Sequence, residues 1–290
     1  MSLQTIAVTG GNGQIGASVL KHLSEQGYRT FNLSLGEREE STSDTYLAVD
    51  LLDAGQVYSA LARSDADAVV HLGTIPGPMH RPGHIVYESN ILSSYHVLEA
   101  ATNLDFETVC LPSSINVLGA AFQEAPIEVS YLPVDEEHPV TPRDPYAISK
   151  HTLELVSDSF ARRMDGPRIA SLRFPWVAND QDLRENVLND PSTVDGDADL
   201  DSDRQNLFAY VHVRDVATAV RRTLEIDFDG HETFWIAAAD TTIDVPSQQL
   251  AEEFYPTAVN VDLTGTESLI NTEKAGRILG WEPTNSWRNL

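Results

Sequence analysis

The sequence predicts an α/β fold in which helices cover both faces of a doubly wound parallel sheet, with a small non-contiguous cap beside it. Two observations predict the sheet: an apolar strand leads into a glycine-rich turn and a helix near the N-terminus, and further apolar strands alternate with helical segments. The length of 290 residues suits one large or two unequal domains. We assign residues 1–175 and about 207–235 to the sheet domain, and about 176–206 and 236–290 to the cap.

The first strand, Thr5–Val8, precedes a glycine-rich turn that opens a helix with apolar residues at helical spacing. In such a unit Gly10 permits the turn, Gly13 lets the backbone approach a ligand, and Gly16 lets the helix pack closely on the sheet. The free amides and the positive end of the helix dipole suit a pyrophosphate. Glycine-rich turns also precede helices that bind nothing, so the position after the first strand strengthens the prediction. The binding residues predicted here are Gly10, Gly13, Gln14, Ile15 and Gly16.

The later strands place further candidate residues at the same edge of the sheet, because ligands of doubly wound sheets bind at the carboxyl ends of the strands. The candidate strands are Arg29–Ser34, Tyr46–Val49, Ala68–Leu72, Thr108–Leu111 and Arg168–Phe174. Three segments follow strand ends and are expected at that edge. They are Asp50-Leu51, Leu72-Gly73-Thr74 and Leu111-Pro112-Ser113-Ser114.

Tyr146 and Lys150 are four residues apart, which places them one turn apart on one face of a helix predicted over 145–164. Asp144 can cap this helix, and a proline suits its first turn. A tyrosine pKa of about 10 is too high for a base near neutrality, and a neighbouring ammonium favours the phenolate. A pair at this spacing is also common as ordinary packing. Its position after the Ser113-Ser114 strand end, and the presence of three lysines in the whole chain, favour proton transfer.

Several separate blocks resemble the extended short-chain dehydrogenase/reductases, the group that includes sugar epimerases and dehydratases. The resemblance runs from about Thr5 to Trp287 and rests on the glycine turn, 50–53, 71–74, Asn90-Ile91, Ser113-Ser114, 146–150, 172–175 and 212–217. It implies a Rossmann-type domain and an NAD or NADP cofactor. It further implies that Asp50 and Leu51 contact the adenine, that 72–74 and Asn90 lie at the ribose and phosphates, and that Phe174-Pro175 contacts the nicotinamide.

The phosphate state of the cofactor depends on the end of the second strand, where NAD-binding proteins usually carry an acid. That place holds Ser34, and Arg38 follows four residues later, where it can pair with a 2′-phosphate. This departure favours NADP slightly over NAD. Three glutamates between 37 and 40 oppose a phosphate, and a solvated Arg38 is an equal alternative.

The resemblance implies a catalytic triad of Ser114, Tyr146 and Lys150, in which Tyr146 exchanges a proton with the substrate while hydride passes to or from the nicotinamide. The dehydratases of the group place an acid directly after the catalytic serine or threonine, where this chain has Ile115 and Asn116, so dehydration is disfavoured. A small cap fits a compact sugar, and we predict a sugar dehydrogenase. The alternatives are a nucleotide-sugar epimerase, a reductase of small ketones or aldehydes, and a regulatory protein that binds NAD(P) without catalysis.

The substrate contacts and the oligomeric state are predicted from the same resemblance. Helices around 89–101 and 145–163 form a dimer interface in the group, and a homodimer is expected here, with Leu92, Tyr95, Leu153 and Phe160 at the interface or in the core. The candidate substrate contacts are Thr74, His80, Arg81, Ser114, Asn116 and Trp176. Packing and loop roles are alternatives for His80, Arg81 and Trp176.

The formal charge of −25, from 19 basic and 44 acidic side chains, argues against nucleic acid or an anionic membrane as a partner. The scarcity of lysine and the acidic run 195–203 resemble proteins of salt-loving organisms; a solvated insertion explains that run better than a calcium loop does. Cys110, the single cysteine, is predicted to be a core thiol. The absence of a signal peptide and of a long apolar run predicts a cytoplasmic protein.

Overall fold

The computed structural model describes residues 4–36, 43–124, 126–164, 166–188, 201–260 and 262–290. Its strands are β1 (Thr5–Thr9), β2 (Arg29–Ser34), β3 (Thr45–Ala48), β4 (Ala68–His71), β5 (Thr108–Ser114), β6 (Tyr131–Leu132), β7 (Arg168–Phe174), β8 (Trp176–Ala178), β9 (Tyr210–His212), β10 (His231–Trp235) and β11 (Val259–Asn260). Seven of these strands form one parallel sheet in the order β10–β7–β5–β4–β1–β2–β3. The strand order reverses between β1 and β4, so the ligand crevice of a doubly wound sheet falls there.

Helices cover both faces of this sheet, as predicted. The described helices are α1 (Gln14–Glu25), α2 (Ala54–Ser64), α3 (Gly83–Asn103), α4 (Pro145–Ala161), α5 (Asp180–Leu183), α6 (Asp201–Gln205), α7 (Val213–Glu225), α8 (Ser247–Phe254) and α9 (Glu273–Leu279). Apolar side chains of α1, α7 and α9 form one core cluster against the sheet. Those of α2, α3 and α4 form a second cluster on the opposite face. Burial of these two apolar layers fixes the sheet between them.

The predicted strands are confirmed with shifts at their ends. The second and last predicted strands match β2 and β7, and the strand predicted at 46–49 begins and ends one residue earlier. The largest difference is β5, which continues to Ser114 because its backbone pairs with β7 through Ser114 opposite Phe174. Ser113 and Ser114 therefore belong to the strand itself rather than to a following loop.

Outside the main sheet, two short parallel pairs are formed, one by β6 and β11 and the other by β8 and β9. A third apolar cluster joins the 3₁₀ turn Ile115–Leu118 and β6 to residues 207–209 and to α8. Residues 115–134, assigned above to the sheet domain, thus share a core with segments that include part of the predicted cap.

The helices α3 and α4 pack against each other. The exposure of their side chains shows which of them are available for the predicted dimer interface. Leu92 and Tyr95 are partly exposed on α3, as an interface requires. Leu153 and Phe160, also suggested for that interface, are instead buried in the core between α4 and the sheet. The dimer itself stays a prediction.

Cys110 lies in β5, and burial raises the pKa of its thiol to about 12, so it is a core residue and not a nucleophile. Within the described ranges, no helix has the length and apolar character needed to cross a bilayer.

Candidate active site

The glycine turn between β1 and α1 lies at the crevice and brings two backbone segments together. Gly10 has a φ of +69°, and a Cβ atom on it would lie 2.6 Å from the Gly73 nitrogen. A side chain at Gly16 would collide with the Gly10 carbonyl oxygen. The helix α1 begins after Gly13 without a side-chain cap among the described residues. Its first amides are therefore left for a ligand, which is the arrangement that suits a phosphate.

Buried polar side chains hold this turn in place. The Asn32 side-chain amide donates to Asn12 Oδ1 at 2.8 Å, and the Ser34 hydroxyl donates to Asn32 Oδ1 at 2.8 Å. On the other side, Thr9 Oγ1 accepts from the Leu72 and Gly73 amides at 3.1 Å each. Ser34 thus supports the turn from the end of β2, in addition to its predicted place near the adenine ribose.

The side chains of Tyr146 and Ser114 line the same cavity, and Ser114 is close enough to act on the pKa of the phenol. The carboxylate of Asp144 caps α4 by accepting from the amides of Tyr146 and Ala147 at 2.9 and 3.0 Å, and Pro145 occupies the first turn, as predicted. This cap fixes the start of the helix and hence the position of the phenol. The end of β5 supplies Ser114 from the sheet side.

Lys150 lies one turn further along α4 and is buried, with a relative exposure of 2%. Its Nζ donates to the Pro112 carbonyl oxygen at 2.8 Å and to Thr74 Oγ1 at 3.1 Å. The same Nζ lies 5.4 Å from the centroid of the Tyr146 ring. The ammonium thereby links α4 to the ends of both β4 and β5.

Burial controls the protonation of both groups. It raises the pKa of Tyr146 to about 12, although the neighbouring Ser114 acts in the opposite direction. It lowers the pKa of Lys150 to about 7. The direction for Tyr146 is opposite to the predicted lowering by Lys150, because burial of the phenol is the largest effect on its pKa.

These groups line one cavity of about 730 Å³, here called the inner cavity. It runs from the glycine turn to the start of β8. The predicted site residues that line it are Gly10, Gly13, Gln14, Ile15, Gly16, Leu72, Gly73, Thr74, His80, Pro112, Ser113, Ser114, Asn116, Tyr146, Lys150, Phe174, Pro175 and Trp176.

Other predicted residues lie outside the lining. The Asn90 side chain is buried and clamps the Ile75 backbone, accepting at 2.8 Å and donating at 3.1 Å, so it positions the loop after Thr74 rather than facing the cavity. Arg81 is exposed. Leu111 is core. Ser34, Asp50 and Leu51 lie at the ends of β2 and β3 beyond the lining. Arg38 and most of the acidic run lie outside the described residues, so the choice between NAD and NADP stays a prediction.

Comparison with known proteins agrees with this geometry. The sequence profile of the NAD dependent epimerase/dehydratase family matches residues 6–237, which is most of the chain. The chain belongs to the NAD-dependent epimerase/dehydratase family. It is an enzyme of the extended short-chain dehydrogenase type.

Characterised members of the epimerase/dehydratase family show a range of activities at low identity. A UDP-glucose 4-epimerase of Rhizobium meliloti is 24% identical over 98% of this chain and 93% of its own length. An L-arabinose 1-dehydrogenase (NAD(P)(+)) of Haloferax volcanii is 27% identical over 65% of this chain and 73% of its own length. The structure of a UDP-glucose 4-epimerase from Bifidobacterium longum with NAD⁺ and UDP has a TM-score of 0.72 at 17% identity, covering 98% of this chain and 95% of that one. The fold is shared with that epimerase structure.

The residues of this family member fit a dinucleotide. The turn around Gly10 has no room for a side chain, and α1 presents its uncapped N-terminus to the inner cavity. Phe174 and Pro175 line the same cavity at the end of β7, on the side of Ser114 and Tyr146. The pyrophosphate would be held by the turn and the nicotinamide by the β7 end and Lys150.

One part of this site was missed by sequence reasoning. Glu154 is buried one turn after Lys150 and accepts from Arg173 Nε and Nη2 at 2.9 Å each and from Ser113 Oγ at 2.6 Å. Burial acts to raise the pKa of Glu154, but the hydrogen bonds and positive charge of Arg173, together with His151 and Ser113, outweigh it and lower this pKa to about 2. The four-residue spacing places Glu154 on the same face of α4 as Lys150, which was a signal in the sequence. Its partner Arg173 lies on β7, far away in the sequence, so the pairing could not be read from local spacing.

Proposed function

We propose that this enzyme is a sugar dehydrogenase that uses NAD(P) to oxidise a hydroxyl group of a sugar. The observation that carries the proposal is the meeting of Ser114, Tyr146 and Lys150 on the wall of the inner cavity, which the glycine turn also lines. That arrangement supports coupled proton and hydride transfer at a carbon bearing oxygen.

In the proposed reaction, Ser114 hydrogen-bonds the substrate hydroxyl and Tyr146 removes its proton. A nicotinamide held by these residues would supply the hydride acceptor and, when oxidised, a positive charge that favours the phenolate. The alcohol then loses one proton to Tyr146 and one hydride from carbon, so a carbonyl group is formed. Lys150 keeps the ends of β4 and β5 in register with α4, and in its protonated form it favours the phenolate of Tyr146.

The lining of the inner cavity supports redox chemistry over dehydration. A dehydratase must protonate a leaving hydroxyl group, which requires an acid beside the substrate. The described residues that line the inner cavity include no aspartate or glutamate. Ile115 and Asn116, which follow the catalytic serine, both lie there.

A screen of sugars with NAD⁺ and NADP⁺, followed by absorbance of the reduced nicotinamide and by chromatography of the sugar, tests this function. A dehydrogenase reduces one equivalent of cofactor per sugar oxidised. Isomerisation of a sugar without net cofactor reduction would contradict the proposal in favour of an epimerase, because an epimerase returns the hydride to its substrate. Cofactor binding with no conversion of any sugar would instead indicate a regulatory role.

We further propose that the surface is adapted to molar salt. The formal charge of −25 on 290 residues supports this, because self-repulsion of such a surface is weak only where ions screen it. The scarcity of lysine is consistent with the same adaptation.

A further inference from the structure

A second cavity of about 600 Å³, here called the outer cavity, adjoins the inner one. The two share Pro78, Asn116, Trp176 and Asn206 in their walls. Asn116 follows the catalytic Ser114 by two residues, so the outer cavity is reached directly from the place of reaction. Its volume is within the range of about 300–1,000 Å³ that holds a complete small ligand, which is more space than the ring undergoing oxidation requires.

Three carboxamide side chains in the outer cavity are held with their oxygen atoms free. Asn186, Gln205 and Asn206 each donate their NH₂ group to a backbone carbonyl oxygen, at 2.9, 3.1 and 2.6 Å respectively. A carbonyl oxygen can only accept, so these bonds fix which end of each amide is the nitrogen. The amide oxygens accept no hydrogen bond from the described part of the chain. They suit hydroxyl donors and oppose the acceptor oxygens of a phosphate.

The charges in the two cavities also favour an uncharged ligand over a phosphate. Among the described residues that line them, Lys150 is the single lysine or arginine, and its Nζ already donates to Pro112 and Thr74. The segment 189–200, whose structure is not described, contains no lysine or arginine in its sequence. Asp203 adds a carboxylate to the outer wall. Recognition of a sugar acid, or of a diphosphate away from the glycine turn, normally uses a guanidinium or ammonium partner. Apart from Lys150, the described part of these walls offers none.

The remaining surface of the outer cavity is apolar. Phe122, Trp176 and Met79 line it, and Phe122 and Met79 are exposed. Apolar and aromatic surface with a few fixed polar groups is typical of a small-molecule site. The C–H face of a sugar ring can pack on the apolar and aromatic surface, and the hydroxyl groups of the sugar can bond to the fixed polar groups.

We propose that the outer cavity binds an uncharged second sugar unit, so that the substrate is a neutral disaccharide or glycoside instead of a nucleotide-sugar or a sugar acid. The inference rests on the proposed function, since the ring in the inner cavity is the one that is oxidised. Hydroxyl groups of the second unit donate to the amide oxygens of Asn186, Gln205 and Asn206. Its ring packs on the aromatic surface.

The purified full chain with NAD(P)⁺ tests this against three matched sets: the monosaccharides glucose, galactose and xylose; the disaccharides cellobiose, lactose and xylobiose; and the UDP derivatives of the three monosaccharides. We expect a disaccharide to have a kcat/KM at least tenfold above those of its component sugars, mainly through a lower KM. The inference is overturned if a UDP-sugar is the best substrate, or if monosaccharides match disaccharides; the redox function survives either result. If no compound is converted, both fail.

Two substitutions at Asn186 test whether the preference for disaccharides arises in the outer cavity. Asn186→Ala should raise KM for the disaccharide about three- to tenfold, as expected for one neutral hydrogen bond, and leave KM for the monosaccharide unchanged. Asn103→Ala, at an exposed asparagine ending α3, is the matched control and should change neither. Equal effects of Asn186→Ala on both substrates would contradict the assignment. Asn186→Lys adds the missing cation and should lower KM for UDP-sugars relative to the parent protein; a KM that stays the same would also count against it.

Discussion

At the scale of residues, a buried ion pair between Glu154 and Arg173 lies next to the proposed catalytic groups. Glu154 joins α4 to β7 through Arg173 and to β5 through Ser113, directly beside Ser114. Both members of the pair are nearly inaccessible to water. Removing one partner of such a pair leaves the other charge buried without compensation, which costs about 3–5 kcal/mol.

We therefore expect Glu154→Gln to lower the free energy of unfolding at neutral pH by about 3–5 kcal/mol, measured by urea unfolding. In the parent protein the depressed pKa means that this stabilisation is present above the ordinary glutamate pKa of 4.5 and is lost as the pH falls towards 2. The stability lost over that interval through this group is about 3 kcal/mol. Glu154→Gln should lack that slope, and the exposed control Glu253→Gln should keep it. A variant with the parent's pH dependence would contradict this role for Glu154.

At the scale of elements, the glycine turn requires a positive φ at Gly10 and also space where a side chain would lie. These two requirements can be tested separately. Gly10 and Gly27 flank α1 and both have a positive φ, +69° and +87°. A Cβ atom on Gly10 would meet the Gly73 backbone, whereas a Cβ atom on Gly27 would meet nothing within 4 Å. An alanine would therefore be strained at both positions, but it would collide with neighbouring backbone only at Gly10.

We expect Gly10→Ala and Gly27→Ala each to cost about 1–3 kcal/mol of stability, because both place a side chain in the left-handed region. Gly10→Ala should also weaken NAD binding at least about tenfold, as measured by equilibrium titration of protein fluorescence. Gly27→Ala should bind NAD as the parent protein does. Equal affinities in the two variants would show that the turn at Gly10 does not hold the cofactor.

The elements were predictable from the sequence where apolar periodicity and turn residues agree, as for α4 and the strands β2 and β7. The length of β5 could not be predicted from the sequence, because its last residues are polar and are held in the strand by pairing with β7. The Glu154–Arg173 pair could not be predicted because it joins a helix and a strand far apart in sequence. The pKa of Tyr146 is raised instead of lowered because its largest cause is burial, which the sequence does not give.

At the scale of the whole molecule, the surface charge is the property that separates this chain from an ordinary dinucleotide-binding enzyme. A formal charge of −25 destabilises a compact protein at low ionic strength and opposes the approach of an anionic cofactor. Raising the salt from about 0.1 M to about 1 M shortens the Debye length from about 10 Å to about 3 Å. The destabilisation of the folded protein and the repulsion of the anionic cofactor should then both weaken.

We expect the midpoint of thermal unfolding to rise by more than about 5 °C between about 0.1 M and 1 M KCl, which corresponds to roughly 2 kcal/mol. A series of melts in KCl measures this. A midpoint that does not change over this range would contradict adaptation to high salt.

In the proposed reaction Tyr146 transfers the proton while hydride passes to the nicotinamide, and the rate of cofactor reduction by Tyr146→Phe measures this role. We predict a fall in kcat of at least about a hundredfold on every sugar that the parent protein oxidises, with unchanged NAD binding. Tyr58→Phe, at an exposed tyrosine of α2, should retain the parent rate. Full turnover by Tyr146→Phe would contradict this role.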